Sequence, residues 1–288
     1  MIRLSRPGDE AALQRLWQIA FGDTQAAIED FFVRLYRPGR AVVWAEGDGV
    51  ASAIYLLDAG TIAVTGDPGR PSLRLSYSYA LATLPTYRGR GLGAAVTKAA
   101  IAHSIELGYD CNLICPAEAG LFDYYLRLGY RDKLSIAERN ISLSDLSDFV
   151  IIPQVMSTDV SAYLRLRQDF LPVSAVVYPE AFFRYAAHRC EMSGGGLYRL
   201  EADGQTGCAA VERAGNQLFV REILPPSLAE AGTQALLTHL GAESAVFRTA
   251  ADGTISSPAV RERPFVLAVP ADGVSFAADG GYFPFVLD

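Results

Sequence analysis

Apolar and polar positions recur with two different periods along the first 141 residues, and each switch of period predicts an element. Ile2, Arg3 and Leu4 read as a short strand. Asp9 then opens a helix whose Leu13, Leu16, Trp17 and Ala20 fall on one face. Thr24 has the side chain of an N-cap for a second helix, with Ile28, Phe31, Phe32 and Leu35 as its buried stripe. Residues 41 to 45 and 50 to 57 form a predicted hairpin, because Glu46-Gly47-Asp48-Gly49 supplies glycine where φ must be positive. A glycine- and proline-rich loop at 66 to 71 leads to a strand ending at 79 to 84. A helix at 94 to 107, a strand at 110 to 115, a helix at about 118 to 128 and a strand from Tyr130 complete the series.

Beyond residue 141 the pattern repeats. Residues 142 to 153, rich in Ser and Asp and ending at Pro153, read as a linker. After it Glu201-Ala202-Asp203-Gly204 echoes the first hairpin turn, Phe182-Phe183 mirrors Phe31-Phe32, Leu164 to Leu166 mirrors Leu13 to Leu16, and Leu224-Pro225 mirrors Leu84-Pro85. The expectation is an α/β (α+β) fold of two tandem units, 1–141 and 154–288. Each would be a mixed, mostly antiparallel sheet flanked by helices, the second ending in a C-terminal strand over 281 to 288.

The candidate chemistry begins where the strand at 79 to 84 meets the helix after it. Arg88-Gly89-Arg90-Gly91-Leu92-Gly93 lies between them, and a glycine-rich turn that opens a helix is an anion cradle. Glycine lets the backbone approach a ligand, and the first-turn N–H groups point outward, so a diphosphate is the natural guest. A P-loop is excluded because Ala94-Ala95 stands where Lys-Ser/Thr is required, and the glycine spacing is not that of a dinucleotide fingerprint. The second unit has lost this turn: Pro225-Pro226-Ser227-Leu228-Ala229-Glu230 puts an acid where a diphosphate needs positive charge. It is expected to wall a cleft rather than hold a cofactor.

Arg88, Gly91 and Gly93 fill the pattern Arg/Gln-x-x-Gly-x-Gly/Ala, and with the order β-α-α-β-β-β-α-β-α-β the first unit resembles the GNAT acetyltransferase family. The resemblance implies that Arg88, Gly89, Arg90, Gly91, Leu92 and Gly93 hold the diphosphate of acetyl-coenzyme A. It also implies that backbone amides at Ala82, Thr83 and Leu84 receive the thioester carbonyl and pantetheine arm; one well-aimed N–H at a developing oxyanion contributes about 3 kcal/mol. Tyr124-Tyr125-Leu126-Arg127-Leu128-Gly129-Tyr130 is similar to the family's Tyr-x-x-x-Gly-Phe segment, which makes Tyr125 the general acid for the departing thiolate.

The general base is left open by the residues, since Ser76-Tyr77-Ser78-Tyr79-Ala80 carries no carboxylate. Water along Ser78 and Tyr77, an acid of the first hairpin such as Glu46 or Asp58, or Asp288 could serve. The tandem arrangement resembles Eis-like acetyltransferases, which bring a terminal carboxylate into the first domain's site and so imply Asp288. Those proteins carry a further C-terminal domain for which this chain has no room, and their aminoglycoside substrates are not carried over.

Composition narrows the setting. The 288 residues are 50% hydrophobic, enough for a substantial core without staples. Cys111, Cys115, Cys190 and Cys208 have no metal spacing, and two cysteines four apart on a strand lie ~13 Å from each other, too far to bridge. Reduced thiols, no metal and a cytoplasmic location are expected. A net charge of −7 argues against a nucleic-acid surface, and a charged N-terminus without a long apolar run argues against a signal peptide or membrane span. His103, His188 and His239 lack partners at useful spacing and read as structural. The expected partner is a small-molecule or peptide amine, with a homo-oligomer possible in principle. Two functions follow: an N-acetyltransferase acting by direct transfer in a ternary complex, or a non-catalytic acyl-coenzyme A sensor.

Overall fold

The structure is a computed structural model that describes residues 1–47, 49–63, 72–143, 152–172, 174–251, 259–276 and 281–287. Strand β1 (Ile2–Leu4) is followed by helices α1 (Glu10–Phe21) and α2 (Gln25–Arg34), whose apolar stripes bury Leu13, Leu16 and Trp17, and Ile28, Phe31 and Phe32. Thr24 caps α2 as expected, accepting the Ala27 N–H at 3.3 Å. Asp9 stands at the cap of α1 but turns its carboxylate back to Arg3 (2.6 and 2.9 Å) and the Arg6 N–H, and the Arg3 hydrogen bond holds it below the usual carboxylate range. The hairpin β2 (Ala41–Glu46) and β3 (Gly49–Ala63) then pairs with β4 (Ser72–Thr83), a longer strand than the sequence suggested. The expected loop at 66 to 71, and Asp48 of the hairpin turn, lie outside the described residues.

Helix α3 (Leu92–Glu106), strand β5 (Cys111–Ile114), helix α4 (Ala119–Leu126) and strand β6 (Asp132–Ser142) finish the first half. The second half runs β7 (Gln154–Ser157), α5 (Val160–Phe170), β8 (Val176–Val177), α6 (Glu180–Met192), β9 (Gly196–Ala202), β10 (Gln205–Ala214), β11 (Gln217–Leu224), α7 (Ala229–Leu240), β12 (Ser244–Ala250) and β13 (Arg261–Pro270). The echoed turn between β9 and β10 has Asp203 and Gly204 at φ 42° and 79°.

All of these strands form one sheet among the described residues, in the order β1-β2-β3-β4-β5-β13-β6-β12-β11-β10-β9-β7, with β8 on β3. Strand β13 enters from the far end of the sequence, antiparallel to β5 on one side and β6 on the other. Strand β6 in turn pairs with β12. A division at 142–153 therefore falls between stretches of sequence whose sheets are continuous, and most of that stretch (144–151) is outside the described residues. Glu138 of β6 fastens the exchange, accepting from Arg263 of β13 at 2.9 Å and Arg248 of β12 at 3.2 Å.

The halves also share a core: Leu13, Phe31, Tyr55 and Tyr77 pack in one cluster with Phe182, Phe183, Phe283 and Phe285. The join needs glycine at 60, where φ is +88° and a Cβ would stand 2.0 Å from the Val177 carbonyl oxygen of β8. The expected C-terminal strand is corrected by the structure. Segment 281–287 is buried throughout but makes a single bridge, Tyr282 to Ala175. Its alternate residues do not sort into two faces, and Pro284 cannot donate to a ladder.

Candidate functional site

The site grows from a break in strand pairing. β4 and β5 run parallel and paired only from Leu75 to Ser78 against Cys111 to Ile114. Below the break a buried network locks the two strands: Ser78 Oγ (2.9 Å) and Tyr130 OH (2.5 Å) both donate to Asn112 Oδ1, and Asn112 Nδ2 donates to Ser76. Beyond it β4 bulges, since Tyr55 pairs with Tyr79 but Ala53 with Ala82. Ala80 sits at φ 50°, a conformation costly for a residue with a Cβ and one that collects at functional sites.

Three hollows meet at this gap. The first, of about 400 Å³, is lined by Ala82, Thr83, Arg88, Gly93, Leu121, Tyr124 and Tyr125, with Ala20, Phe21 and Leu81. It opens at the glycine turn, where Gly89 and Gly91 both have φ 77° and Gly91 begins α3 without a side-chain cap or an acid in the first turn. The first-turn N–H groups are thus left for a ligand. Leu92 is buried and anchors the turn; Arg88 donates to the Thr83 carbonyl at 3.2 Å, and Arg90 lies over the Tyr87 ring at 5.0 Å. Gly93 is needed for closeness, not for positive φ: a Cβ there would meet Tyr124 OH at 3.2 Å and Thr83 Oγ1 at 3.5 Å. Thr83 Oγ1 and Ser52 Oγ are hydrogen-bonded at 2.8 Å. Leu84 does not share the expected role, because its N–H is taken by the Ala51 carbonyl at 2.9 Å where β3 continues alongside.

The second hollow, about 320 Å³, continues from the first past Phe21, Leu81, Leu121 and Tyr125 and adds Ser78, Tyr79, Ile114, Cys115 and Leu287. Tyr125 is buried between Tyr124 and Tyr130, with ring centroids 5.0 and 5.8 Å away. Burial, with smaller contributions from Tyr124 and Cys115, pushes its phenol far above the ordinary value, so the hydroxyl keeps its proton at neutral pH. The third hollow, about 570 Å³, shares Trp17, Asp23, Tyr79 and Leu287 with the second. It opens between Thr24, Ala27 and Asp30 of the first half and Tyr185, His188, Arg189 and Glu212 of the second.

Of the proposed bases, Glu46 takes the Trp44 indole N–H and Asp58 the Gly60 N–H, and neither lines these hollows. Along the Ser78 route, the Ser78 hydroxyl donates inward to Asn112, while Tyr77 and Ser78 both line the second hollow. Asp288 lies outside the described residues. Sequence reasoning missed Asp23, whose Oδ2 accepts the Trp17 indole N–H at 2.7 Å and which lines both the second and third hollows. It also missed His188, which faces the third hollow 3.4 Å from Asp30. His103 and His239 rest against Glu106 and Tyr198. No cluster of His, Cys, Asp and Glu suited to a metal occurs among the described residues, and no described helix is long and apolar enough to cross a membrane.

A mixed sheet whose central parallel strands part beside a glycine turn and an uncapped helix start leaves an open passage next to an anion-binding helix end. Residues 1–132 match the family described as acetyltransferase (GNAT) domain. The whole chain shares its fold with a probable N-acyltransferase of unknown function from Enterococcus faecalis, at a TM-score of 0.67 and 14% identity over 93% of this chain and 72% of that one. Eis1 from Mycobacterium abscessus superposes with a TM-score of 0.64 at 16% identity, covering 94% and 74% of the two chains. A GNAT protein from Kribbella flavida gives 0.62 at 19% identity over 93% and 70%. No curated protein matches the sequence.

Proposed function

We propose that the chain is an N-acetyltransferase that moves an acetyl group from acetyl-coenzyme A directly to a primary amine. The observation that carries this reading is the run of three hollows, joined at Tyr125 on one side and at Trp17, Asp23, Tyr79 and Leu287 on the other. Acetyl-coenzyme A would supply the activated thioester, with its diphosphate on the turn from Arg88 to Gly93 and its acyl end toward the second hollow. The acceptor would come in through the third. Holding both reactants in one passage removes much of the entropic barrier to their encounter.

Backbone amides beside the β4 bulge, near Ala82 and Thr83, would support the carbonyl as it becomes negative. Asp23 attracts the acceptor's ammonium and is oriented by Trp17. Asp288, the residue after the cavity-lining Leu287, takes one proton from that ammonium so that the free amine can form the N–C bond, and the second nitrogen proton passes through water to the Tyr125 oxygen as the adduct collapses. Tyr125, kept protonated by burial, protonates the thiolate as the C–S bond breaks. Proteins of the GNAT fold with a second half lacking the glycine turn would bind one cofactor per chain, consistent with Glu230 at the start of α7 being paired to Arg139.

The test is release of free thiol from acetyl-coenzyme A across a panel of primary amines, with mass measurement of the acetylated product. Amine-dependent release supports the assignment. Tight coenzyme A binding with no amine turned over would mark a non-catalytic acyl-coenzyme A sensor instead.

A further inference from the structure

Leu287 is the side chain of the last described segment that walls both the second and third hollows. Its backbone is held in an uneven way. Tyr282 is tied on both sides, its N–H to the Ser174 carbonyl at 3.1 Å and its carbonyl to the Val176 N–H at 2.9 Å. From 283 to 287, one hydrogen bond from the rest of the described protein remains: the Phe285 N–H donates to Tyr178 OH at 3.1 Å. The Val286 N–H is satisfied within the segment, by Pro284.

Tyr178 is itself immobilised from several directions. Its ring stacks on Phe182 (5.1 Å, 9° between planes) and meets Phe283 and Phe285 at 5.4 and 5.7 Å. The Arg167 guanidinium lies 5.3 Å from its centroid. Arg167 is fully committed, with Nε and Nη2 on the two Glu222 oxygens at 2.8 and 3.1 Å and further donation to the Val176 carbonyl. Val176 and Val177 pair in turn with Ile62 and Thr61 of the first half. A rigid path thus runs from the first half's β3, through β8 and Tyr178, to the segment that ends at the cavity wall.

We infer that Tyr178 is a positioning residue for the acceptor side of the site, its hydroxyl and ring fixing segment 283–287 so that Leu287 stands as the partition between the two hollows. The inference rests on the reading of those hollows given under the proposed function. Tyr178→Phe removes one oxygen and leaves the ring contacts, so the core stays filled. The partition loosens while the glycine turn, on another part of the sheet, is untouched.

The experiment uses the full chain carrying Trp44→Phe, in which Trp17, a wall of both hollows, is the remaining tryptophan. Adding Tyr178→Phe is expected to speed amide exchange in 281–287 at least tenfold and to double acrylamide quenching of Trp17, with no change in α3. In turnover with 2-phenylethylamine or another accepted amine, its KM should rise at least fivefold while that of acetyl-coenzyme A stays within twofold. Leu287→Ala should reproduce the quenching and the KM split with segment exchange unchanged. Unaltered exchange and quenching in Tyr178→Phe would overturn the inference, and so would an equal rise in both KM values, which marks general loosening. Failure of the parent to bind coenzyme A would retire the proposed function, while exchange and quenching, which need no ligand, still decide the role of Tyr178.

Discussion

Tyr125 carries a direct prediction because it lines both the first and the second hollow. Tyr125→Phe should lower kcat about 100-fold, the lower range for loss of a general acid, with the KM for acetyl-coenzyme A little changed. The pH dependence has a defined sign. Burial raises the phenol's pKa above the ordinary 10.0, so the protonated form persists as pH rises through that value. A kcat profile should therefore show no alkaline fall from this residue below pH 10, and a limb near pH 9 that Tyr125→Phe abolished would contradict its assignment. Gly93→Ala tests the cradle itself. The added methyl meets Tyr124 OH and Thr83 Oγ1 at 3.2 and 3.5 Å, and calorimetry should show coenzyme A binding weakened about tenfold, about 1.4 kcal/mol, with the fold retained.

Among elements, the strand exchange at β6 is held by Glu138. Burial alone would raise its pKa, but the hydrogen bond and charge of Arg263, with Arg248 adding to them, hold it below 4.5. A depressed carboxylate contributes stability that is present above 4.5 and is lost as pH falls through the lowered value. Acid unfolding of the wild type should therefore include a component below pH 4.5 that Glu138→Gln removes. At neutral pH that variant leaves two guanidinium groups facing a neutral amide and should cost about 2 kcal/mol in urea unfolding. The helices that follow β4 and β11 differ for a local reason. α3 begins at an uncapped glycine with no acid in its first turn, whereas α7 begins with Glu230 engaged by Arg139. Titration of the full chain with coenzyme A should accordingly give a stoichiometry of one; two sites per chain would refute the degenerate reading of the second half.

At the scale of the whole molecule, the first half is incomplete without residues from the other end of the sequence. A fragment ending at residue 141 would lack β13, leaving β5 and β6 without the strand that lies between them and both edges exposed. Circular dichroism and exchange should show it unfolded or aggregated. A soluble, cooperatively folding fragment would mean that the interleaving is dispensable.

The local elements were legible because their signals are local: the stripe Ile28, Phe31 and Phe32, the Thr24 cap and the turn from Arg88 to Gly93 each depend on residues a few positions apart. The element order and the place of Tyr125 followed from them. What the sequence could not determine is what depends on residues far apart meeting. Strand β13 reads as an ordinary apolar run, yet its partners are 150 residues away in β5; segment 281–287 reads as a strand, yet it packs on all sides and reaches a site built by the first half. Asp23 is an unremarked loop acid until Trp17 orients it and the second half closes over it. Sequence alone thus determined the turn, the helices and the chemistry they favour, because short-range sterics and periodicity dictate those. Tertiary structure alone decided the shared sheet and the walls of the third hollow, because these depend on long-range pairing and burial that no local pattern encodes.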